Sequence, residues 1–282
     1  MSNKIINVEQ SEYWNEKSGP KWVRIDDSMN ERFSGLTDEL FHRSKIVQND
    51  RVLDVGCGGG ETSFRASRSV GSSGYVLGAD ISETLLTFAR NKFSNIENLE
   101  FNTCDAQNYK FKVGSFDKVI SRFGMMFFEN PIEAFKNIHL SIKRGGSLDF
   151  VCWADMKDNE FFIEGSEIVT RYTNKDLPPT TREPGAFAFS DKKYIREILD
   201  LSGFREIKID TVVSSIATRD TPEKDVEMLL SIGPRAKLYS GSNLSDEKMS
   251  AIKNEVLELC KKRQVNHEIK YNAPLHFVKA TK

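Results

Sequence analysis

The sequence predicts an α/β fold: a doubly wound, mostly parallel seven-stranded sheet with an amino-terminal helical cover and a helical cap or insertion. Three observations carry that expectation. Short apolar, β-branched runs alternate with stretches of helical period between Arg51 and Trp153. A glycine-rich turn follows the first run directly and opens the first of those helices. The spacing suits right-handed crossovers between parallel strands, so helices should cover both faces of the sheet and a ligand should sit at the strands' carboxyl ends.

Each element has a local cause. Arg51–Val55 is a strand run ended by glycines, and Thr62–Ser69 after it reads as helix. Tyr75–Asp80 repeats the strand signal; Ser82 then supplies an N-cap oxygen, with Leu85, Leu86, Phe88, Ala89 and Phe93 at helical spacing. Leu99–Thr103 and Phe116–Ser121 are the next strands. Asn130 caps a helix with Pro131 at its first position and Phe135 and Ile138 inward, and Lys143, Arg144, Gly145 and Gly146 are expected as its cationic, glycine-terminated end. Ser147–Trp153 is a fifth strand.

The flanks read differently. Glu9 to Asn49 is mostly helical in pattern, anchored by Tyr13, Trp14, Trp22 and Phe33. Ala154–Phe189, carrying Pro178, Pro179 and Pro184, is long for a structureless connection and is expected as a lid. Ser190 is expected to cap a helix through Leu201 that stops at Gly203, with a strand over Glu206–Ser214. A charged helical stretch from about Pro222 to Arg263 precedes a last strand near Leu275–Ala280. The expected organisation is therefore a helical cover over 1–49, a ligand-binding core over 50–153, a lid over 154–190, and the rest of the sheet over 191–282. The last part holds a helical insertion at about 222–264, which completes the cap or a dimer contact.

The bulk numbers remove some functions. The chain has 282 residues with 40 basic and 41 acidic side chains, a formal net charge of −1, so no field gathers a polyanion and nucleic acid is not an expected partner. No stretch approaches the roughly 18 apolar residues of a membrane span, and Met1–Gln10 lacks the apolar core of a secretory signal. Cys57, Cys104, Cys152 and Cys260 are scattered, which gives neither a disulfide framework nor a zinc spacing. A cytoplasmic protein, monomeric or homodimeric and without a metal site, is expected.

The strongest local signal is Asp54-Val55-Gly56-Cys57-Gly58-Gly59-Gly60, between strand and helix. Alternating glycines let main chain turn tightly and come against a ligand. A dinucleotide fingerprint places Gly or Ala three positions after the second glycine, where this chain has Glu61. A carboxylate at that helix start would repel a pyrophosphate, whereas a nucleoside without phosphate meets no such objection. S-adenosylmethionine has that shape, and Asp54 could organise the loop and a nearby ammonium. Asp80, ending the second strand, can accept both ribose hydroxyl protons; Ile81 offers an apolar face to adenine. Asp105, followed by Ala106, could accept from the adenine amine. Three acids at three successive strand ends converge on one crevice.

With Val52–Gly60, Gly78-Ala79-Asp80-Ile81-Ser82, Cys104-Asp105-Ala106, Phe116-Asp117, Ser121–Phe128, Asn130-Pro131 and Gly145-Gly146 in place, the chain resembles the class I methyltransferases. The likeness is to the small-molecule group related to quinone-biosynthesis enzymes, and extends to Tyr13-Trp14, Trp22-Val23 and Pro184–Asp191. It implies a Rossmann-like methyltransferase fold, S-adenosylmethionine as cofactor and S-adenosylhomocysteine as product. It also implies that Asp54, Gly56 and Gly58 hold the methionine part, Asp80 the ribose, and Asp105 with Ala106 the adenine; Cys57, Ile81 and Ser121 complete the expected cofactor-binding set. Arg144 replaces the usual proline before the paired glycines.

The methyl acceptor is not named by any motif. Tyr13, Trp22, Arg122, Phe123 and Phe127 are the expected substrate or lid residues, and the aromatic content around them suits an aromatic, lipophilic or amine acceptor. Methyl transfer needs alignment before it needs a base. Tyr13, His139, His276 and Glu129 are candidates, with structural roles expected for His139 in a helix and His276 in a strand. Two other readings stay open: a cofactor-binding protein without methyl transfer, and a protein or RNA methyltransferase.

Overall fold

A computed structural model describes residues 4–282. Four short elements form the cover: α1 (Val8–Glu12), a π-helical turn (Tyr13–Lys17), α2 (Gly19–Arg32) and α3 (Ser34–Ser44). The core follows as β1 (Arg51–Val55), α4 (Glu61–Val70), β2 (Tyr75–Asp80), α5 (Glu83–Lys92), β3 (Leu99–Thr103), β4 (Phe116–Arg122), α6 (Pro131–Ser141) and β5 (Ile142–Trp153). The remainder comprises α7 (Glu160–Thr173), α8 (Lys192–Leu201), β6 (Arg205–Thr218), α9 (Pro222–Leu229), α10 (Gly233–Ser240), α11 (Asp246–Arg263), β7 (Gln264–Val265) and β8 (Glu268–Thr281).

The sheet runs in the order β3-β2-β1-β4-β5-β8-β6. β1 to β5 pair in parallel, and β8 is antiparallel to both β5 and β6. Seven strands thus make the main path, as the fold class required. An eighth, the two-residue β7, adds a hairpin on β8 that carries no apolar alternation to announce it. The order reverses between β1 and β4, so a crevice opens where β1, β2 and β4 end.

Caps behave as short polar residues dictate. Ser82 Oγ accepts from the Leu85 amide at 3.2 Å, and Asn130 Oδ1 accepts from the Glu133 amide at 3.2 Å. Two expectations shift. Asp191, not Ser190, caps α8, because its carboxylate accepts from the Lys193 amide two residues on. Lys143–Gly146 does not end a helix: α6 stops at Ser141, and these residues begin β5, whose register against β4 slips between Phe116 and Lys118. The Lys143 ammonium pairs with Asp117 at 2.7 Å, which holds the segment to the sheet.

The span expected as a lid divides. After 154–159, which holds a 3-10 turn at Met156–Asp158, it forms α7, whose Phe161, Phe162, Ile168 and Val169 are buried, and 174–190 is irregular. The insertion is three helices, and a buried ionic cluster ties it to the cover. Arg32 on α2, 1% exposed, reaches Asp220 at 3.1 Å and Asp225 on α9 at 2.7 Å. Asp225 also accepts from the Tyr271 hydroxyl on β8 at 2.9 Å. No helix among the described residues is long and apolar enough to cross a membrane.

Candidate active site

The carboxyl ends of β1, β2, β4 and β5 open into a cavity of about 690 Å³, roofed by the cover, α10 and the irregular segment 178–188. Its floor is the glycine turn. Gly56, Gly58 and Gly60 have φ of +68°, +55° and +86°, the left-handed region that side chains resist. A Cβ on Gly56 would lie 2.6 Å from the Cα of Gly124, whereas one on Gly58 would meet no atom within 4 Å. The first glycine is thus required by the fold, and the second leaves main chain open to the cavity.

Asp80 lines the cavity and is fixed by main chain: Oδ2 accepts from the Gly58 amide at 2.9 Å and Oδ1 from the Ser82 amide at 2.8 Å. Each oxygen keeps a second lone pair. Burial raises its pKa, against the pull of those amides. Asp105 is different. Its carboxylate receives four N–H donors, from Ile6, Asn7 (twice) and Gln107, at 2.8 to 3.0 Å. The neighbouring Ala106 main-chain N–H has no partner among the described residues.

An aromatic wall lines the same cavity. Phe123 stacks on Trp153 with ring centres 4.3 Å apart, Phe33 and Phe162 meet this pair edge-on, and Trp14 meets Phe127 at 5.2 Å. Phe123 takes φ of +65°, a strained conformation for a side chain of that size, held by its amide on the Val151 carbonyl at 3.0 Å. The π-helical turn, closed by the Ser18 amide on the Tyr13 carbonyl at 2.8 Å, directs Tyr13, Trp14 and Lys17 to the cavity. Arg122 donates to Thr37 Oγ1 at 2.9 Å and Asn30 Oδ1 at 2.6 Å, and its guanidinium lies 5.6 Å from the Phe33 ring centre.

Comparison with known proteins now decides the class. Residues 52–146 match the methyltransferase domain family. Demethylmenaquinone methyltransferase of Staphylococcus carnosus is 24% identical over 235 residues, 80% of this chain and 88% of that one. The ubiquinone/menaquinone biosynthesis C-methyltransferase UbiE of a Marinomonas species is 32% identical over 160 residues, covering 54% and 62%. Residues 52–146 are thus a methyltransferase domain, and the chain is similar to S-adenosylmethionine-dependent methyltransferases. Solved structures share the methyltransferase's fold. Bacillus subtilis YcgJ superposes with a TM-score of 0.57 at 17% identity, covering 87% of this chain and 97% of that one. Haemonchus contortus phosphoethanolamine N-methyltransferase 2, solved with S-adenosyl-L-methionine, gives 0.59 at 16%, covering 96% and 59%.

Twelve of the methyltransferase's expected site residues line the cavity: Gly56, Cys57, Gly58, Asp80, Ile81, Asp105, Ala106, Tyr13, Trp22, Arg122, Phe123 and Phe127. Two do not. Ser121 is fully buried; its hydroxyl donates to the Val55 carbonyl at 2.7 Å and accepts from the Gly124 amide at 3.1 Å, so it braces the turn from behind. Asp54 is also fully buried, with Oδ2 accepting from Thr62 and Ser63 hydroxyls at 2.5 and 2.7 Å and Oδ1 without a partner. It anchors the turn to α4 one layer beneath the wall.

Burial raises the Asp54 pKa to about 6, against the two hydroxyls and the Arg122 charge. A carboxylate harder to ionise in the folded chain than in the unfolded one contributes stability at low pH that is lost as pH rises through about 6. Asp54→Asn should therefore flatten the pH dependence of thermal unfolding between pH 4 and 7 and raise the midpoint above pH 6. A parallel curve in wild type and variant would contradict this.

Of the base candidates, only Tyr13 reaches the cavity. His139 packs on Phe204, His276 is held between Thr211 and the Ser190 carbonyl, and Glu129 lies outside the wall. Sequence reasoning missed Asn7, Asp26, Met29 and Asn30, which line it too. The last three share a helical face with Trp22, so extending that period along α2 would have found them. Nothing in the sequence flags Asn7.

Proposed function

We propose that the chain transfers a methyl group from S-adenosylmethionine to a small aromatic or lipophilic acceptor, with ring systems of the quinone kind the favoured class. The observation that carries this is a single cavity with two chemistries: acids and a free Ala106 N–H at the strand ends, and stacked aromatic rings in the same lining. The residues fit the cofactor. Gly58 leaves backbone open, Asp80 keeps two lone pairs for a ribose diol, Ile81 offers an apolar face, and the Ala106 N–H is free for a ring nitrogen. The names of the quinone-biosynthesis relatives and the apolar lining support the acceptor class.

When bound, the cofactor supplies an electrophilic methyl group on sulfur. The chain's own contribution is alignment and exclusion of water. Phe123, locked on Trp153, and Phe162 form a wall with few alternative positions, which suits holding a flat acceptor in one orientation. Tyr13 offers a hydroxyl at the cavity for an acceptor's proton.

Incubation with labelled S-adenosylmethionine and a naphthohydroquinone tests the reading. Label in an organic-extractable product supports it; label in RNA or protein, or S-adenosylhomocysteine binding with no transfer to a panel of aromatic acceptors, contradicts it. Asp80→Ala should weaken S-adenosylhomocysteine binding by about 1–3 kcal/mol, through loss of charge-assisted hydrogen bonds. Unchanged affinity in calorimetry would remove Asp80 from the site.

A further inference from the structure

We propose that the amino-terminal segment Lys4–Asn7 is a latch that competes with the cofactor's adenine for the carboxylate of Asp105. The inference rests on the adenosine reading of the cavity. The main-chain amides of Ile6 and Asn7 donate to Oδ2 at 3.0 and 2.9 Å, while the Asn7 side-chain amide and the Gln107 main-chain amide donate to Oδ1 at 2.8 and 3.0 Å. A carboxylate offers about four lone-pair sites, so all are taken. Three of the donors come from a segment 98 or 99 residues away in sequence.

The segment is fastened on both sides of the cavity's edge. The Asn7 amide nitrogen also reaches Gln107 Oε1 at 3.2 Å, its Oδ1 accepts from the Glu129 amide at 2.8 Å, and the Lys4 carbonyl accepts from Asn108 Nδ2 at 2.7 Å. It thereby ties the loop after β3 to the loop after β4. Asn7 is only 3% exposed although it precedes the first helix, so these polar contacts are what hold it there.

The Asn7 side chain offers Asp105 an NH2 group, as an aminopurine would, and carries an acceptor beside it, as an adenine ring nitrogen does. An incoming adenine amine needs a lone pair that the segment holds. The Ala106 N–H next door is free, so the ring-nitrogen contact is ready while the amine contact is blocked. Because both donors use the same atoms, the coupling is reciprocal: cofactor loosens the segment, and loosening the segment tightens cofactor.

Hydrogen–deuterium exchange with and without saturating S-adenosylhomocysteine reads this directly. Exchange at the Ile6 and Asn7 amides should quicken about tenfold on binding, while amides of the glycine turn slow. In calorimetry, Asn7→Ala and Asn7→Asp should bind S-adenosylhomocysteine about three- to tenfold tighter than wild type, with no gain for S-inosylhomocysteine, which lacks the amine. Slower exchange at Ile6 and Asn7, or equal or weaker binding by both variants, overturns the latch and leaves the adenosine site standing. Failure of the wild-type chain to bind S-adenosylhomocysteine overturns both.

Discussion

Replacing Gly56 by valine is expected to abolish cofactor binding and to lower the stability of the chain by about 2–3 kcal/mol, since a β-branched residue is forced into the left-handed region. Gly56 has φ of +68°, and its amide is committed to the Ala79 carbonyl at 2.8 Å, so the turn cannot relax without giving up that bond. The added Cβ would also stand 2.6 Å from main chain of Gly124, which must then move. Gly124 follows Phe123, so the shift reaches the aromatic wall. Gly114→Ala is the control: its φ is +59° and nothing lies within 4 Å of the new Cβ, so it should cost about 1 kcal/mol and leave affinity unchanged. Equal affinities of wild type and Gly56→Val for S-adenosylhomocysteine would show that the turn does not shape the site.

The second large effect is expected at Arg32. Arg32→Ala removes the cation between Asp220 and Asp225, and leaves a fully buried carboxylate without its counter-ion. Breaking a buried pair in this way costs about 3–5 kcal/mol. The thermal midpoint should fall by roughly 10 °C, given about 2–4 °C per kcal/mol in chains of this size. Affinity should fall as well, because α2 carries Trp22, Asp26 and Asn30 into the cavity and the cluster is what joins α2 to α9 and β8. A midpoint unchanged within 2 °C, read by circular dichroism, would mean that the cluster contributes little.

What the sequence made legible follows the physics of each element. β1, its glycine turn and α4 stand out because two periodicities and a glycine run coincide there, and the five parallel strands repeat the pattern. Local rules failed where tertiary pairing decides. Lys143–Gly146 has the composition of a helix end, yet backbone pairing with β4 and the Lys143–Asp117 contact draw it into β5. Ser190 and Asp191 can each cap a helix, and only the local turn selects Asp191. In the site, residue types chose the neighbourhood of the cavity but not the layer: Asp54 and Ser121 reach it in sequence and brace it from behind in three dimensions. Asn7 was invisible because its meaning depends entirely on a carboxylate 98 residues later.

On the proposed reading, main chain opened by the glycine turn, with Asp80 beside it, receives an adenosine ligand without phosphate. Calorimetric titration of the wild-type chain with S-adenosylhomocysteine and, separately, with NADH tests it most directly. One-to-one binding of the first and none of the second is predicted. Binding of NADH, with S-adenosylhomocysteine giving no heat and no competition, would contradict it.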